Sequence, residues 1–318
     1  MQMFMIYILI FAVIFILELL YFWIATKFNI VDLPSRRGSS KVITLRGGGI
    51  IFWIGTFVFF VYSGFQYPWF FLGASLIALV SFWDDIHSLS PRTRLCAQIA
   101  SLLCMFYEVG IWSEQSLWLL VPILIANLGV INIFNFMDGI NGITGGYSLS
   151  VLLSLLYVNT HVVTFVNTDL IVICVLAVSI FCFFNFRTKA KCFAGDVGSV
   201  CIAFILLFLM CKLTILTKDL SWFVLMAMYG VDGCLTIIHR MILHEKISIP
   251  HRKHAYQIMA NELKIPHVMV SLIYISIQIV INIIYLLCHG YLTAFFVVFL
   301  LAILYILFMK KYPLAELK

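Results

Sequence analysis

Carboxylates and amides are scarce in this chain, and most of them fall in a few short segments that could do chemistry together. Asp84 and Asp85 are adjacent; Asn132, Asn135, Asp138 and Asn141 recur at every third residue; Asp196 stands between Gly195 and Gly198; and His251, Arg252 and His254 follow Pro250. Arg46 precedes the run Gly47, Gly48 and Gly49. A close carboxylate pair can divide the roles of base and metal ligand, because one member tends to keep its proton. Mg²⁺ usually takes one or two carboxylates plus the phosphate oxygens of a substrate, and that would suit Asp196. An arginine beside backbone N–H groups at a helix start favours phosphate, as at Arg46. Amides and one carboxylate at Asn132, Asn135, Asp138 and Asn141 suit a sugar, a uracil edge or a hydrated cation. Phe193, three residues before Asp196, could stack on a base.

Each segment also has a plainer reading. Asp84 and Asp85 could be a solvated helix end, although acids at a helix C-terminus oppose the macrodipole. Asp196 could only cap a helix, helped by Ser199. Gly139, Gly142, Gly145 and Gly146 could serve helix–helix packing, or let backbone or ligand approach closely. The string around Asp138 lacks the other positions of a calcium loop. His251 and His254 have no Cys or Glu nearby to complete a zinc site, so phosphate is the better partner for them and Arg252. Asp232 and Glu18 fall inside apolar runs, where acids are functional candidates by default; Asp232 could simply pair with His239 or Arg240.

The elements that must position these residues are membrane helices. The 318 residues are 64% hydrophobic and 11% charged, with a mean hydropathy of +1.10, which excludes an ordinary water-soluble domain. In lipid every backbone group must be paired within the protein, which leaves helices or a closed barrel. The apolar runs are continuous rather than alternating, so an all-α polytopic protein is expected. Eleven spans are predicted, at roughly 3–24, 48–65, 69–83, 93–108, 117–134, 143–160, 169–186, 197–216, 221–239, 268–288 and 293–309. The first run lacks a basic leader and a small-residue cleavage site, which predicts a retained span. No soluble domain or internal repeat is evident, so residues 1–318 are expected to form a single membrane domain.

Alternating sides along these spans places 18 of the 20 basic residues in one set of loops, leaving Lys212 and Lys218 in the other. The positive-inside bias then puts the first set in the cytoplasm, with the amino terminus outside and the carboxyl terminus inside. The same bias explains the net charge of +6 without nucleic acid. All four polar segments fall on the basic side, where Asp84, Asp85, Asp138 and Asp196 would repel one another unless cations join them. A cytoplasm-facing site for a metal ion, phosphate or both is the expectation. The nine cysteines form no CxxC pair and read as small packing residues.

Taken together, DD at 84–85, NIFNFMDGING at 132–142, FAGDVGS at 193–199 and GVDG…HR…HEKISIPHRKHAYQ at 230–257 resemble the polyprenyl-phosphate N-acetylhexosamine-1-phosphate transferases of glycosyltransferase family 4. The ending looks most like the subgroup that initiates O-antigen or similar surface polysaccharides. The first loop departs from the usual pattern: Ser40 stands where a histidine is typical, and Ile43 and Leu45 replace prolines. The resemblance implies transfer of a sugar 1-phosphate from a UDP-N-acetylhexosamine to undecaprenyl phosphate at a bacterial inner membrane. It also implies Mg²⁺, with Mn²⁺ as a substitute. Under it, Asp84, Asp85 and Asp196 are catalytic and Asp196 and Asp85 hold the metal. Arg46, Asn132, Asn135, Asp138, Asn141, Phe193, His251, Arg252 and His254 bind substrate. Which UDP-sugar is used, whether transfer takes one step or two, and whether the protein is a homodimer stay open. Two alternatives stand beside this: a transporter or lipid flippase, although the acids lie at span ends rather than midplane, and an inactive scaffold, suggested by the altered first loop.

Overall fold

The computed structural model describes residues 2–32, 43–114, 117–245 and 252–312. Its order is α1 (Gln2–Lys27), β1 (Val31–Asp32), β2 (Thr44–Leu45), α2 (Ile50–Tyr62), α3 (Pro68–Ile86), α4 (Pro91–Val109), α5 (Ile111–Glu114), α6 (Leu117–Met137), α7 (Ile143–Tyr157), α8 (Thr168–Asn185), α9 (Gly195–Thr217), α10 (Ala227–Ile242), α11 (Ala255–Gln257), α12 (His267–Leu287) and α13 (Tyr291–Lys311). A π-helical turn, Val158–Val162, extends α7, and a 3₁₀ segment, Leu220–Met226, leads into α10.

Each of the eleven predicted spans coincides with a helical segment; among the described residues eight have the length and hydropathy of a full span, and α2, α4 and α7 are shorter or more polar but keep the alternation that brings the motifs together. The other three fall short for separate reasons. The run at 48–65 holds only the 13-residue α2, about 20 Å long against a hydrocarbon core of about 30 Å. Gly48 and Gly49 before it and Ser63 and Gly64 after it are turns. α4 carries Arg92, Arg94 and Glu108, and α7 has 15 residues before its π-helical turn.

α9 is the centre of the bundle. It is buried along almost its whole length and packs on α2, α3, α4, α6 and α7. Phe204 and Phe208 stack on Phe70 of α3, with the Phe70–Phe208 centroids 4.1 Å apart. α1 and α13 lie outermost and expose large apolar side chains such as Phe4, Leu9, Phe295 and Leu300, as lipid-facing helices do.

Two crossing glycines bring the start of α2 onto the start of α9. A Cβ on Gly49 would lie 2.2 Å from the Gly198 Cα, and one on Gly198 would lie 2.7 Å from the Gly49 Cα. The strand pair extends this junction. β1 pairs antiparallel with β2, and Leu45 bridges to Cys192. The Leu45 carbonyl accepts the Phe193 N–H at 2.8 Å, and Gly48 N–H donates to the Phe193 carbonyl at 2.9 Å. Arg46 is thereby fixed beside Asp196. Gly198→Ala is expected to destabilise the protein by about 1–3 kcal/mol, because the obstructing atom is backbone and cannot swing away. Thermal unfolding in detergent measures this; an unchanged midpoint would mean that the helices slide apart freely.

Candidate active site

The C-terminal end of α3, the C-terminal end of α6 and the N-terminal end of α9 converge at one end of the bundle. Asp85 is buried and fully engaged there. Its Oδ1 accepts Arg46 Nε–H at 2.7 Å and the Asp196 N–H at 2.9 Å, and its Oδ2 accepts the Val197 N–H at 3.0 Å. It therefore caps α9 from another helix, supplying acceptors that the first turn of a helix lacks. Gly195 has φ +71°, and a Cβ there would meet the Asp85 carboxylate, so the tight turn into α9 requires glycine at this position. Burial works against the charge on Arg46, but Asp85 and Asp196 more than offset it and keep the guanidinium protonated.

Asp84 and Asp196 are arranged differently. Their carboxyls lie within hydrogen-bonding reach of each other, and Arg94 of α4 spans them, 3.3 Å from Asp84 Oδ2 and 3.5 Å from Asp196 Oδ2. The Leu89 N–H donates to Asp84 Oδ1 at 2.6 Å. Asn135 Nδ2 donates to Asp196 Oδ1 and to Ser199 Oγ, both at 3.1 Å. Among the described residues no three His, Cys, Asp or Glu side chains converge as a metal set. Two facing carboxylates with a substrate phosphate still fit Mg²⁺. The expectation that Asp85 is a metal ligand meets a physical obstacle, because both of its oxygens are already taken by Arg46 and the α9 backbone.

Beside this cluster lies a cleft of about 220 Å³. Arg46, Asn135, Asp138, Asn141, Phe193 and Asp196 all line it, as the sequence suggested. Four further wall residues were not anticipated: Asp32, Asn185, Gln257 and His267. Gln257 closes the 230–257 motif, which was its signal; Asp32 and His267 lie outside the motifs and Asn185 ends an apolar run, so for those three isolation as polar residues was the only signal. Asn141 is anchored by its Nδ2, which donates to the Arg187 and Thr188 carbonyls at 2.8 and 3.3 Å. Asn185 Oδ1 accepts the Gly142 N–H at 2.7 Å, and its Nδ2 donates to the Cys192 carbonyl at 2.8 Å.

The remaining sequence candidates lie elsewhere. Asn132 is outside the cleft wall; its Nδ2 donates to the Leu128 carbonyl and to Gln98 of α4. His254 is 1% exposed and packs against Asp232 instead of lining the cleft. Arg252 is half-buried and also off the cleft wall. His251 and Ser40 lie outside the described residues. Asp232 pairs with His254, whereas Arg240 pairs with Glu245. The glycines after Asp138 admit neighbouring side chains: Gly139 meets Tyr256, Gly142 meets Phe186 and Gly146 meets Ile275.

Burial pushes the Asp138 carboxyl up to about 7 from an ordinary 3.8; the Thr144 hydroxyl opposes this, and the Asp196 and Asp85 charges add to it. The folded state therefore holds this proton more tightly than the unfolded chain. Its stabilising contribution is full below 3.8 and is lost as pH rises toward 7. In metal-free detergent solution, the gap in unfolding midpoint between wild type and Asp138→Asn should move against the wild type across that window. A gap independent of pH would refute the raised value.

Residues 67–214 match the family model described as glycosyl transferase family 4. That stretch contains Asp84, Asp85, Asn135, Asp138, Asn141 and Asp196, and it excludes Arg46 and the 252–257 turn. The chain is also similar to a Bacillus subtilis (strain 168) protein named probable undecaprenyl-phosphate N-acetylglucosaminyl 1-phosphate transferase. The two are 26% identical over 256 residues, which cover 73% of this chain and 70% of the relative.

Proposed function

We propose that this chain, which matches the model of glycosyl transferase family 4 over residues 67–214, transfers an N-acetylhexosamine 1-phosphate from a UDP-sugar to undecaprenyl phosphate and releases UMP. The observation that carries this is the pair of facing carboxylates, Asp84 and Asp196, bracketed by Arg46 and Arg94 at the rim of a polar cleft. Both substrates bring phosphates, so their mutual repulsion must be offset before they can react. The name of the Bacillus subtilis relative supports the same lipid acceptor and the same class of transferred group.

In the reaction, an oxygen of the lipid phosphate attacks the sugar-bearing phosphorus of the donor. The bond from that phosphorus to the bridging oxygen breaks, and UMP leaves with the electron pair. Mg²⁺ held by Asp196 and the donor's phosphate oxygens would neutralise the diphosphate and the charge that develops on the leaving oxygen. Asn135 holds Asp196 in register through its Oδ1. Arg46 and Arg94 place the phosphates, and Asp84 accepts the proton of the lipid phosphate. Phe193 stacks on uracil, with Asp138, Asn141 and Asn185 beside it. A nucleotide sugar needs a pocket of about 300 Å³ or more, so the 220 Å³ cleft holds part of the donor and the rest reaches toward the carboxylates. The loop charge bias turns this site to the cytoplasm, and the family resemblance suggests surface polysaccharide as the product's destination.

The test is purified protein with undecaprenyl phosphate, Mg²⁺ and a panel of UDP-N-acetylhexosamines, following UMP release and sugar-phosphate on lipid. One sugar is expected to react at least about tenfold better than its epimer, because a site built to hydrogen-bond a hydroxyl discriminates strongly. No transfer with any of the panel would remove the proposed function.

A further inference from the structure

Asp232 sits in α10, 2% exposed, and lines no part of the cleft. A buried carboxylate is costly unless hydrogen bonds satisfy it, and this one has four donors. Its Oδ1 accepts the Ala255 N–H at 3.1 Å, Thr236 Oγ1–H at 3.1 Å and His254 Nδ1–H at 3.3 Å. Its Oδ2 accepts the Tyr274 hydroxyl of α12 at 2.6 Å. Two of the four come from the turn that opens α11. That turn is clamped on its other side as well, where the Tyr256 hydroxyl donates to the Phe136 carbonyl at 2.8 Å and lies against Gly139.

This double clamp delivers Gln257 to the cleft wall, beside Asp138, Gly139 and Asn141. Gln257 Oε1 accepts the His254 N–H at 3.3 Å. Its Nε2 carries two N–H groups, which can donate to a ligand. The other groups on this wall are rich in acceptors, which makes a fixed donor informative there.

We propose that Gln257 gives a hydrogen bond to a carbonyl oxygen of the nucleotide-sugar donor, and that Asp232 is its positioning residue, acting through the 254–257 turn. This rests on the transfer reading above. The carbonyl belongs either to the uracil ring or to the N-acetyl group. UMP, which has only the first, separates the two.

The experiment uses the full-length purified protein. Binding of UDP-N-acetylglucosamine and of UMP is measured by titration calorimetry, and turnover is measured separately. Gln257→Ala should raise Kd and KM for the UDP-sugar by about 5- to 10-fold, the worth of one neutral hydrogen bond. kcat and the KM for undecaprenyl phosphate should stay within about twofold. Gln257→Glu, which cannot donate, should give no rescue. Asp232→Asn should raise the donor KM similarly, and the Asp232→Asn, Gln257→Ala double variant should be no worse than Gln257→Ala alone. Tyr274→Phe, which keeps the carboxylate, should give a smaller rise and covers the case in which Asp232→Asn fails to fold. UMP binding weakened in parallel assigns the uracil carbonyl; UMP binding unchanged assigns the acetyl carbonyl.

Wild-type donor affinity in Gln257→Ala overturns the contact. A fall in kcat and unfolding temperature at Asp232, with donor KM unmoved, overturns the positioning role. Wild-type protein that binds UDP-sugar but releases no UMP removes the transfer reading and leaves this one standing; wild-type protein that binds no nucleotide removes both.

Discussion

Asp196→Asn is expected to abolish Mg²⁺-dependent release of UMP, with a loss of about 10³-fold or more, the scale on which a charge-stabilising group acts in a dry site. The substitution is nearly isosteric, and its amide oxygen can still accept from Asn135. It removes the charge that faces Asp84 across Arg94. Mg²⁺ binds few protein carboxylates and depends on each, so the fall should not be recovered by excess Mg²⁺. Donor binding without metal and the unfolding midpoint should both stay near wild type, which separates a chemical loss from a folding loss. Asp84→Asn should lose turnover too while retaining its helix end, since its amide oxygen can still accept the Leu89 N–H. Full Mg²⁺-dependent UMP release by Asp196→Asn would remove the metal assignment.

The convergence of these residues was legible because membrane spans alternate sides. Placing 84–85, 132–142 and 193–199 on one face needed only hydropathy and the distribution of lysine and arginine. What each side chain does at that face depends on rotation and helix ends, which spacing records poorly. The three-residue period from Asn132 to Asn141 implied one face. At about 100° per residue, each step of three lags the face by about 60°, and α6 stops at Met137. Asn132 therefore turns to Gln98 while Asn135 reaches Asp196, and Asp138 and Asn141 lie in the loop beyond the helix. Asp84 and Asp85 look interchangeable in the sequence. Their side chains leave α3 in directions about 100° apart, so one meets the incoming backbone of α9 and the other the open cluster. His254 misled for another reason. A loop after a proline suggested solvent and phosphate, yet Asp232 lies 22 residues before His254 and draws it inward. Long-range closure of that kind leaves no local signature.

Asp85→Ala should be the most disruptive change at the site to folding. It strips one acceptor from Arg46 and leaves the Asp196 and Val197 N–H groups without the partner that caps α9. Each buried N–H group that loses its only acceptor costs about 1–3 kcal/mol, and two are stranded here, while Arg46, a third exposed and still facing Asp196, adds less. The effect should reach activity even in the folded fraction, since the N-terminal turn of α9 carries Asp196. Asp85→Asn keeps one acceptor oxygen but turns an NH₂ toward donors, so it should recover only part of the loss. Replacing both partners, Arg46→Met with Asp85→Leu, should unfold less readily than Asp85→Ala alone, because no charge is then stranded. Thermal unfolding in detergent, with and without Mg²⁺, reads all of these. The decisive contrast is with the metal: if Asp85 is the cap, its loss lowers the midpoint equally in both conditions. If Asp85→Ala unfolds like wild type without Mg²⁺ and loses only the stabilisation that Mg²⁺ gives, Asp85 is a metal ligand, and its contacts with α9 belong to the metal-free state alone.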